Sequence, residues 1–426
     1  MKGFSIRIFA FAAIVASFGT SVGAFAAETD SLKLEGRWDA VLTTKAGAVP
    51  FRLDISGEGA TLKGTLYNGW DPFETTTSAK YENGTLVLNI EHYLTRITAK
   101  LNGDGQLEGQ AVAQSRAEGA TYAFHATRYV AQTEASNAPS IAGSWEIPLD
   151  NPNAKGEKTQ RLIVEQKGAE VSASILRVDG DTGALNGTYK DGKWVLGHYD
   201  GSRPAVMELS LAKDGTLELK QENGRAGNKL IAYRTEVARA KGLAEPEDYT
   251  TNTTMRDPNE VFTYKFPDLN GKLTSNEDPK FKNKVVLYIV TGTWCPNCHD
   301  EAQYLVQLYA KYHDKGLEIV ALDFEEPEQQ DELTRVHAFI KQYHVPYTYL
   351  IAGAPAEMWE KIPQPVNLNT WPATLFVGRD GRVKHIHTGF ASPASGVFNA
   401  ELKQEFTSTI EQLLKEKVEV TSASLQ

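Results

Sequence analysis

Between Leu34 and Thr235 apolar and polar residues alternate in short runs broken by Gly, Asn and Asp. Pro50-Phe51-Arg52-Leu53-Asp54-Ile55, Gly84-Thr85-Leu86-Val87-Leu88-Asn89-Ile90 and Gly215-Thr216-Leu217-Glu218-Leu219-Lys220 place every second side chain on one face. That is the period of a half-buried strand, so the pattern predicts an all-β region. The pattern also repeats. Gly36-Arg37-Trp38-Asp39 recurs as Gly143-Ser144-Trp145-Glu146, 107 positions later. Tyr81-Glu82-Asn83-Gly84 recurs as Tyr189-Lys190-Asp191-Gly192, and Asn102 to Glu108 as Ala212 to Glu218. Two copies of one β module are expected, residues 27–132 and 139–236, joined by the polar stretch Ala131 to Ser140.

After a second connector without a clear period, residues 237–260, the pattern changes to alternating strands and helices, the mark of an α/β domain at 261–418, with 419–426 as a tail. Lys284 to Thr291 reads as a buried strand and Pro296 to Lys315 as a helix presenting Ala302, Leu305, Tyr309 and Tyr312 on one face. Leu317 to Phe324 is the next strand, followed by an acidic turn, a helix from about Glu328 to Tyr343 and a short strand from Pro346 to Ile351. Ala373 to Val377 and Arg382 to Thr388 form a hairpin. A last helix, Asn399 to Lys417, turns Leu402, Phe406, Ile410, Leu413 and Leu414 inward. The Trp residues of the modules, Trp38, Trp70, Trp145 and Trp194, are read as core.

Composition adds a compartment. Lys2 and Arg7 precede an apolar run, Ile8 to Val15, too short to span a bilayer, and Ala24-Phe25-Ala26 reads as a cleavage site. Residues 1–26 are therefore expected to be a secretory signal peptide, leaving a periplasmic protein that does not span the membrane. Removing its two cations takes the formal net charge from −10 to −12. So acidic a chain argues against nucleic acid or an anionic membrane as partner.

An exported protein commonly staples itself with disulfides, yet this chain has only two cysteines, three positions apart, in Thr293-Trp294-Cys295-Pro296-Asn297-Cys298. A disulfide closing so small a loop would stabilise little, which favours chemistry over structure. A buried strand that delivers C-x-x-C to the first turn of a helix puts the first thiol at the positive end of the helix dipole, favouring its thiolate, and leaves the second placed to close the disulfide. The spacing predicts thiol–disulfide exchange. A zinc site would need a second pair of ligands, and His299 alone does not supply it; His299 is read as a solvated helix residue. His385 and His387 share one face of a strand and are read as an exposed edge pair.

Phe266-Pro267-Asp268-Leu269-Asn270-Gly271-Lys272, the Thr293–Cys298 stretch, and Trp371-Pro372-Ala373-Thr374-Leu375-Phe376-Val377 with Asp380-Gly381 together resemble the TlpA/ResA-like thiol–disulfide oxidoreductases over residues 262–417. The resemblance implies a thioredoxin-like fold for the α/β domain. It implies that Cys295 is the attacking thiolate and Cys298 the resolving thiol. It implies Glu301, three residues after Cys298, as the acid that assists proton transfer, since the strand position where ordinary thioredoxins carry an acid is the apolar Ile289. A solvated helix glutamate is the competing reading. Pro372 matches the cis-proline that faces the disulfide and frees the preceding backbone to pair with substrate. Trp371 stands where the family has a small or β-branched residue, and together with Trp294 and Pro372 it is a candidate substrate contact.

The expected activity is dithiol–disulfide exchange with protein substrates, in the reducing direction, sustained by a membrane or periplasmic electron donor. No cofactor beyond the redox-active Cys295–Cys298 disulfide is implied. A thiol peroxidase of the same fold would carry threonine at position 292, which is Gly292 here. The other alternative is an envelope binding protein whose β modules hold the ligand or partner.

Overall fold

A computed structural model describes residues 34–113, 119–130, 137–222, 228–330 and 332–416. The expected signal peptide, linker residues 131–136, the last residue of the expected final helix, Lys417, and the tail 419–426 lie outside these.

Each β module is a nine-stranded antiparallel sheet, the first running from Gly36–Thr44 to Ala120–Arg128 and the second from Gly143–Pro148 to Asn228–Arg234. In both, the first strand pairs with the last, so the sheet curls round its own core. In the second the strand Glu170–Arg177 also pairs on both sides and closes a barrel. The repetition read from sequence is repeated atom by atom. The indole N–H of Trp38 donates to Leu34 O and that of Trp145 to Ile141 O, both at 2.9 Å. Arg128 and Arg234 lie over those rings at 4.0 and 3.8 Å. Asn83-Gly84 and Asp191-Gly192 both adopt left-handed φ (50° and 72°; 51° and 84°) in two-residue hairpins. Trp38, Trp145 and Trp194 are buried as expected. Trp70 is not core. It is half exposed between the modules, where Arg52 and Lys167 cover its ring and its N–H reaches Glu165; the amphipathic ring bridges two surfaces because its indole N–H needs a polar partner.

The connector after the second module is partly ordered by pairing the sequence does not reveal. Thr235–Ala240 is a short helix, and Thr254–Met255 pairs with Pro365–Val366. The central sheet of the C-terminal domain has five strands, β1 (Val285–Thr291), β2 (Leu317–Phe324), β3 (Thr348–Gly353), β4 (Ala373–Val377) and β5 (Val383–Thr388), in the order β3-β2-β1-β4-β5. β1 to β3 are parallel and β4 and β5 antiparallel. Central β1 is buried on both faces, the reason its sequence is one unbroken apolar run. Three long helices pack on the sheet: α1 (Pro296–Tyr312), α2 (Thr334–Tyr343) and α3 (Val397–Lys415). Leu287 and Ile289 pack beneath α1 and α3, and Val286, Tyr288 and Val290 face Phe262, Phe281 and Leu375. This is the thioredoxin-like arrangement expected. α2 begins later than expected because Leu333 takes left-handed φ (51°) and a 3₁₀ turn, Pro327–Gln329, occupies the preceding residues.

The modules are docked onto this domain, each through a buried carboxylate on the corresponding strand. In the first, Glu74 accepts bonds from Tyr343 Oη (2.8 Å) and Gln342 Nε2 (3.0 Å) of α2. In the second, Asp181 accepts from Ser392 N (2.7 Å) and Ser395 Oγ (2.6 Å). Beside Asp181 two segments of the chain approach so closely that a Cβ on Gly389 would lie 2.3 Å from Gly180 N; both positions have left-handed φ and require glycine.

Candidate active site

Strand β1 ends at Thr291, and the chain turns through Gly292, Thr293 and Trp294 to deliver Cys295 as the N-cap of α1, with Pro296 at the first helical position. Cys298 falls one turn along, its N–H donating to Cys295 O at 3.0 Å. Both cysteines are free thiols. Cys295 meets the carbonyl of Trp371 at 3.5 Å, and the Trp371–Pro372 peptide bond is cis. Trp294 and Trp371 stand edge to face, centroids 5.3 Å apart, and Trp294 is tethered through its indole N–H to Phe324 O at 2.9 Å. The residues singled out in the sequence therefore converge: Trp294, Trp371 and Pro372 surround the cysteine pair, and Glu301 lies beneath it.

Glu301 is 1 % exposed, not a solvated helix residue. Burial pushes its carboxyl up to about 8, and the hydroxyl of Thr374, which donates to Oε1, opposes that rise without cancelling it. Its Oε2 has no hydrogen-bond partner. Cys298 is buried with it, and burial, then the neighbouring Cys295 sulfur, pushes its thiol up; the Glu301 charge adds to the rise. The inner thiol and the acid are thus held in one apolar compartment that Tyr347 helps to close, its phenol pushed up by burial and then by Glu301 and Cys298.

On the outer side Cys295 opens into a cleft of about 390 Å³ whose walls come from all three parts of the chain: Phe73 of the first module, His198 and Asp200 of the second, and Trp294, Asp300 and Trp371 of the C-terminal domain. Asn297 ties the helix start to the second module by donating to Asp179 O at 2.8 Å. Asp300 was not singled out in the sequence. It is buried, its Oδ1 has no partner, and burial and then the charges of Asp181 and Asp200 push its carboxyl well up. His198 donates through Nδ1 to Ala184 O (3.0 Å) and faces Asp200 with Nε2 at 3.6 Å. Burial works against its imidazolium, but Asp200 and the Ala184 carbonyl outweigh it and raise its pKa. Nothing local marks these residues in the sequence; they reach the site only through docking of the module.

Two further groups support the cysteine loop. His299, read as solvated, is 1 % exposed. It bonds Thr293 O (2.7 Å) and Tyr343 Oη (2.9 Å) and stacks on Tyr93 of the first module at 4.2 Å. Burial and then the nearby His92 push its pKa well down, so it is neutral. The correction has a simple cause: the first module covers the helix face that would otherwise meet water. Behind Thr293, the fully buried Arg335 of α2 bonds Glu325, Glu326 (3.0 Å) and Thr293 Oγ1 (3.0 Å), while Thr293 also donates to Glu325. The acidic turn seen in the sequence is this ion network. His385 and His387 also differ from expectation: His387 is buried, and both rings turn to Glu405 of α3.

The family model described as Redoxin matches residues 252–401, the C-terminal domain and the end of its connector. A thiol-disulfide oxidoreductase ResA of Bacillus cereus is 35% identical over 126 residues, 30% of this chain and 64% of that protein. ResA of Bacillus thuringiensis subsp. konkukian is 32% identical over 137 residues, 32% of this chain and 71% of its own length. The chain belongs to the ResA family. A solved thiol:disulfide interchange protein of the thioredoxin family from Chlorobium tepidum is 18% identical, covering 38% of this chain and 99% of that one with a TM-score of 0.29. The ResA-like part of the chain is the C-terminal domain, and the two β modules lie outside the Redoxin match. No helix among the described residues is long and apolar enough to cross a membrane.

Proposed function

We propose that the protein is an exported, periplasmic thiol–disulfide oxidoreductase that reduces disulfides in protein substrates through Cys295 and Cys298. The observation that supports this best is the division of the two thiols: Cys295 faces a cleft, while Cys298 is buried beside an acid whose Oε2 is unpartnered. The Cys295 thiolate attacks one substrate sulfur, forming a mixed disulfide and releasing the other as a thiolate that takes up a proton. Glu301, ionised, accepts the proton of Cys298, and the resulting thiolate attacks Cys295 Sγ. The displaced substrate sulfur takes the proton held by Glu301, so the substrate leaves as a dithiol and the enzyme pair becomes the disulfide; two electrons have passed. A membrane or periplasmic donor then restores the dithiol. Trp294, Trp371 and Pro372 frame the position of the substrate sulfur, and the β modules select the substrate by walling the cleft.

The test is trapping. Cys298→Ser is expected to accumulate a mixed disulfide on Cys295 with a reducible substrate, and Cys295→Ser to form none. Equal trapping by both variants would remove the assigned roles. A reduction potential near or below that of thioredoxin, about −270 mV, supports the reducing direction; one near about −120 mV would make the protein an oxidant.

A further inference from the structure

We infer that His385, His387 and Glu405 form a binding site for a divalent cation of the zinc class, separate from the cysteines. The two imidazoles project from one face of β5, whose pairing with β4 fixes their spacing. Glu405 reaches them from α3, and its Oε1 lies 2.5 Å from His385 Nε2 and 2.9 Å from His387 Nδ1. The three ligating atoms all lie within 4.8 Å of one another. Two imidazole nitrogens and one carboxylate oxygen are the donor set borderline-soft divalent ions take.

The surroundings fit a site rather than a chance meeting of surface groups. The His387 side chain is 2 % exposed, whereas those of His385 and Glu405 are 28 % and 24 % exposed, so an ion has a path in and an open fourth position for water. The rings are held by aromatic neighbours: His387 lies 4.9 Å from Tyr249 and 5.1 Å from Phe406, and His385 lies 5.4 Å from Phe376. Without a metal, each imidazole meets Glu405 through a protonated nitrogen. A zinc ion with bonds of about 2.0–2.1 Å would need donors about 3.3 Å apart in a tetrahedron, so the Glu405 oxygen would move away from both nitrogens to admit it. Bound there, it would clip the last helix to the edge strand of the sheet.

The experiment uses the untagged full chain with Cys295 and Cys298 oxidised to the disulfide, which removes thiolate ligands. Cobalt(II) is titrated as a spectroscopic probe, then displaced by zinc. One cobalt per chain is expected, with visible bands of a four- or five-coordinate ion and no sulfur charge-transfer band. Glu405→Gln, which keeps the shape of the side chain, and His385→Ala, at the more exposed ligand, are each expected to weaken binding at least about 100-fold, and zinc to raise the melting temperature of the unmodified chain but of neither variant. Absence of binding at about 100-fold excess cobalt, or equal affinity in the unmodified chain and in a Glu405→Gln protein with an unchanged circular dichroism spectrum, would overturn the assignment.

Discussion

At the scale of single residues, the decisive fact is that Glu301 shares a dry compartment with Cys298. Its carboxyl titrates near 8 in the folded chain against an ordinary value of 4.5. Raised in this way, it stabilises the fold fully below about pH 4.5, and that contribution is lost as pH rises through about 8, at up to about 1.4 kcal/mol per unit within the window. Glu301→Gln should therefore match the unmodified protein in thermal stability at about pH 4 and exceed it at about pH 9. A stability gap independent of pH would count against a buried, titrating Glu301. In catalysis the same variant should slow the resolving step by about 100-fold and lose a rate increase centred near pH 8. Thr374→Val removes the hydroxyl that holds the Glu301 pKa down, so the inflection should move to higher pH; stopped-flow reduction of a fluorescent disulfide across pH reads both. The sequence showed the spacing of Cys298 and Glu301 and the apolar Ile289. It could not show that Thr374, 73 residues away, would bond that carboxyl.

At the scale of elements, the cysteine turn is held from behind by α2. Arg335→Met would leave Glu325 buried without its counter-charge, which costs about 3–5 kcal/mol. Chemical denaturation should show that loss, and Arg335→Met combined with Glu325→Leu should recover much of it, since an apolar pair carries no such penalty. If the double variant is as unstable as the single one, the network is not acting through charge. The elements themselves were legible wherever one face is dry: the strand period of Thr85–Ile90, the unbroken apolar run of β1 and the inward stripe of α3 were all visible in the chain. What misled were polar residues that tertiary contacts bury. His299 and His387 carry no local sign of the aromatic rings and carboxylates that cover them, and Glu325-Glu326 reads only as an acidic turn until Arg335, ten residues on, is brought against it.

At the scale of the whole molecule, the β modules are part of the cleft rather than an appendage. Glu74 and Asp181, each 2 % exposed, fasten them to opposite parts of the C-terminal domain, one to α2 and one to the segment after β5. Glu74→Ala or Asp181→Ala should each cost about 1–3 kcal/mol by leaving buried donors unpaired. Changing both should split a single calorimetric transition into two, one for the modules and one for the thioredoxin-like domain. A single transition in the double variant would show that docking rests on other contacts. With the modules loosened, Cys295 should react faster with a bulky disulfide than in the intact chain, because the wall formed by Phe73 and His198 no longer limits approach. None of this cooperation was visible in the sequence, where the partners of Asp181 and Glu74 stand 211 and 269 positions away. The repeat was visible; its purpose was not.

That repeat has a consequence for the way such a chain is put together over generations. Glu74 and Asp181 occupy corresponding strands of two similar modules. A module that already carried one buried acid at its hairpin would, once copied in tandem, furnish a second handle with no new invention, and a redox domain held from one side would become a domain held from two. The copies are then free to diverge in what they place beside the thiol, Phe73 in one and the ionised Asp200 in the other. Symmetry supplies the grip, and its breaking gives the cleft two unlike walls.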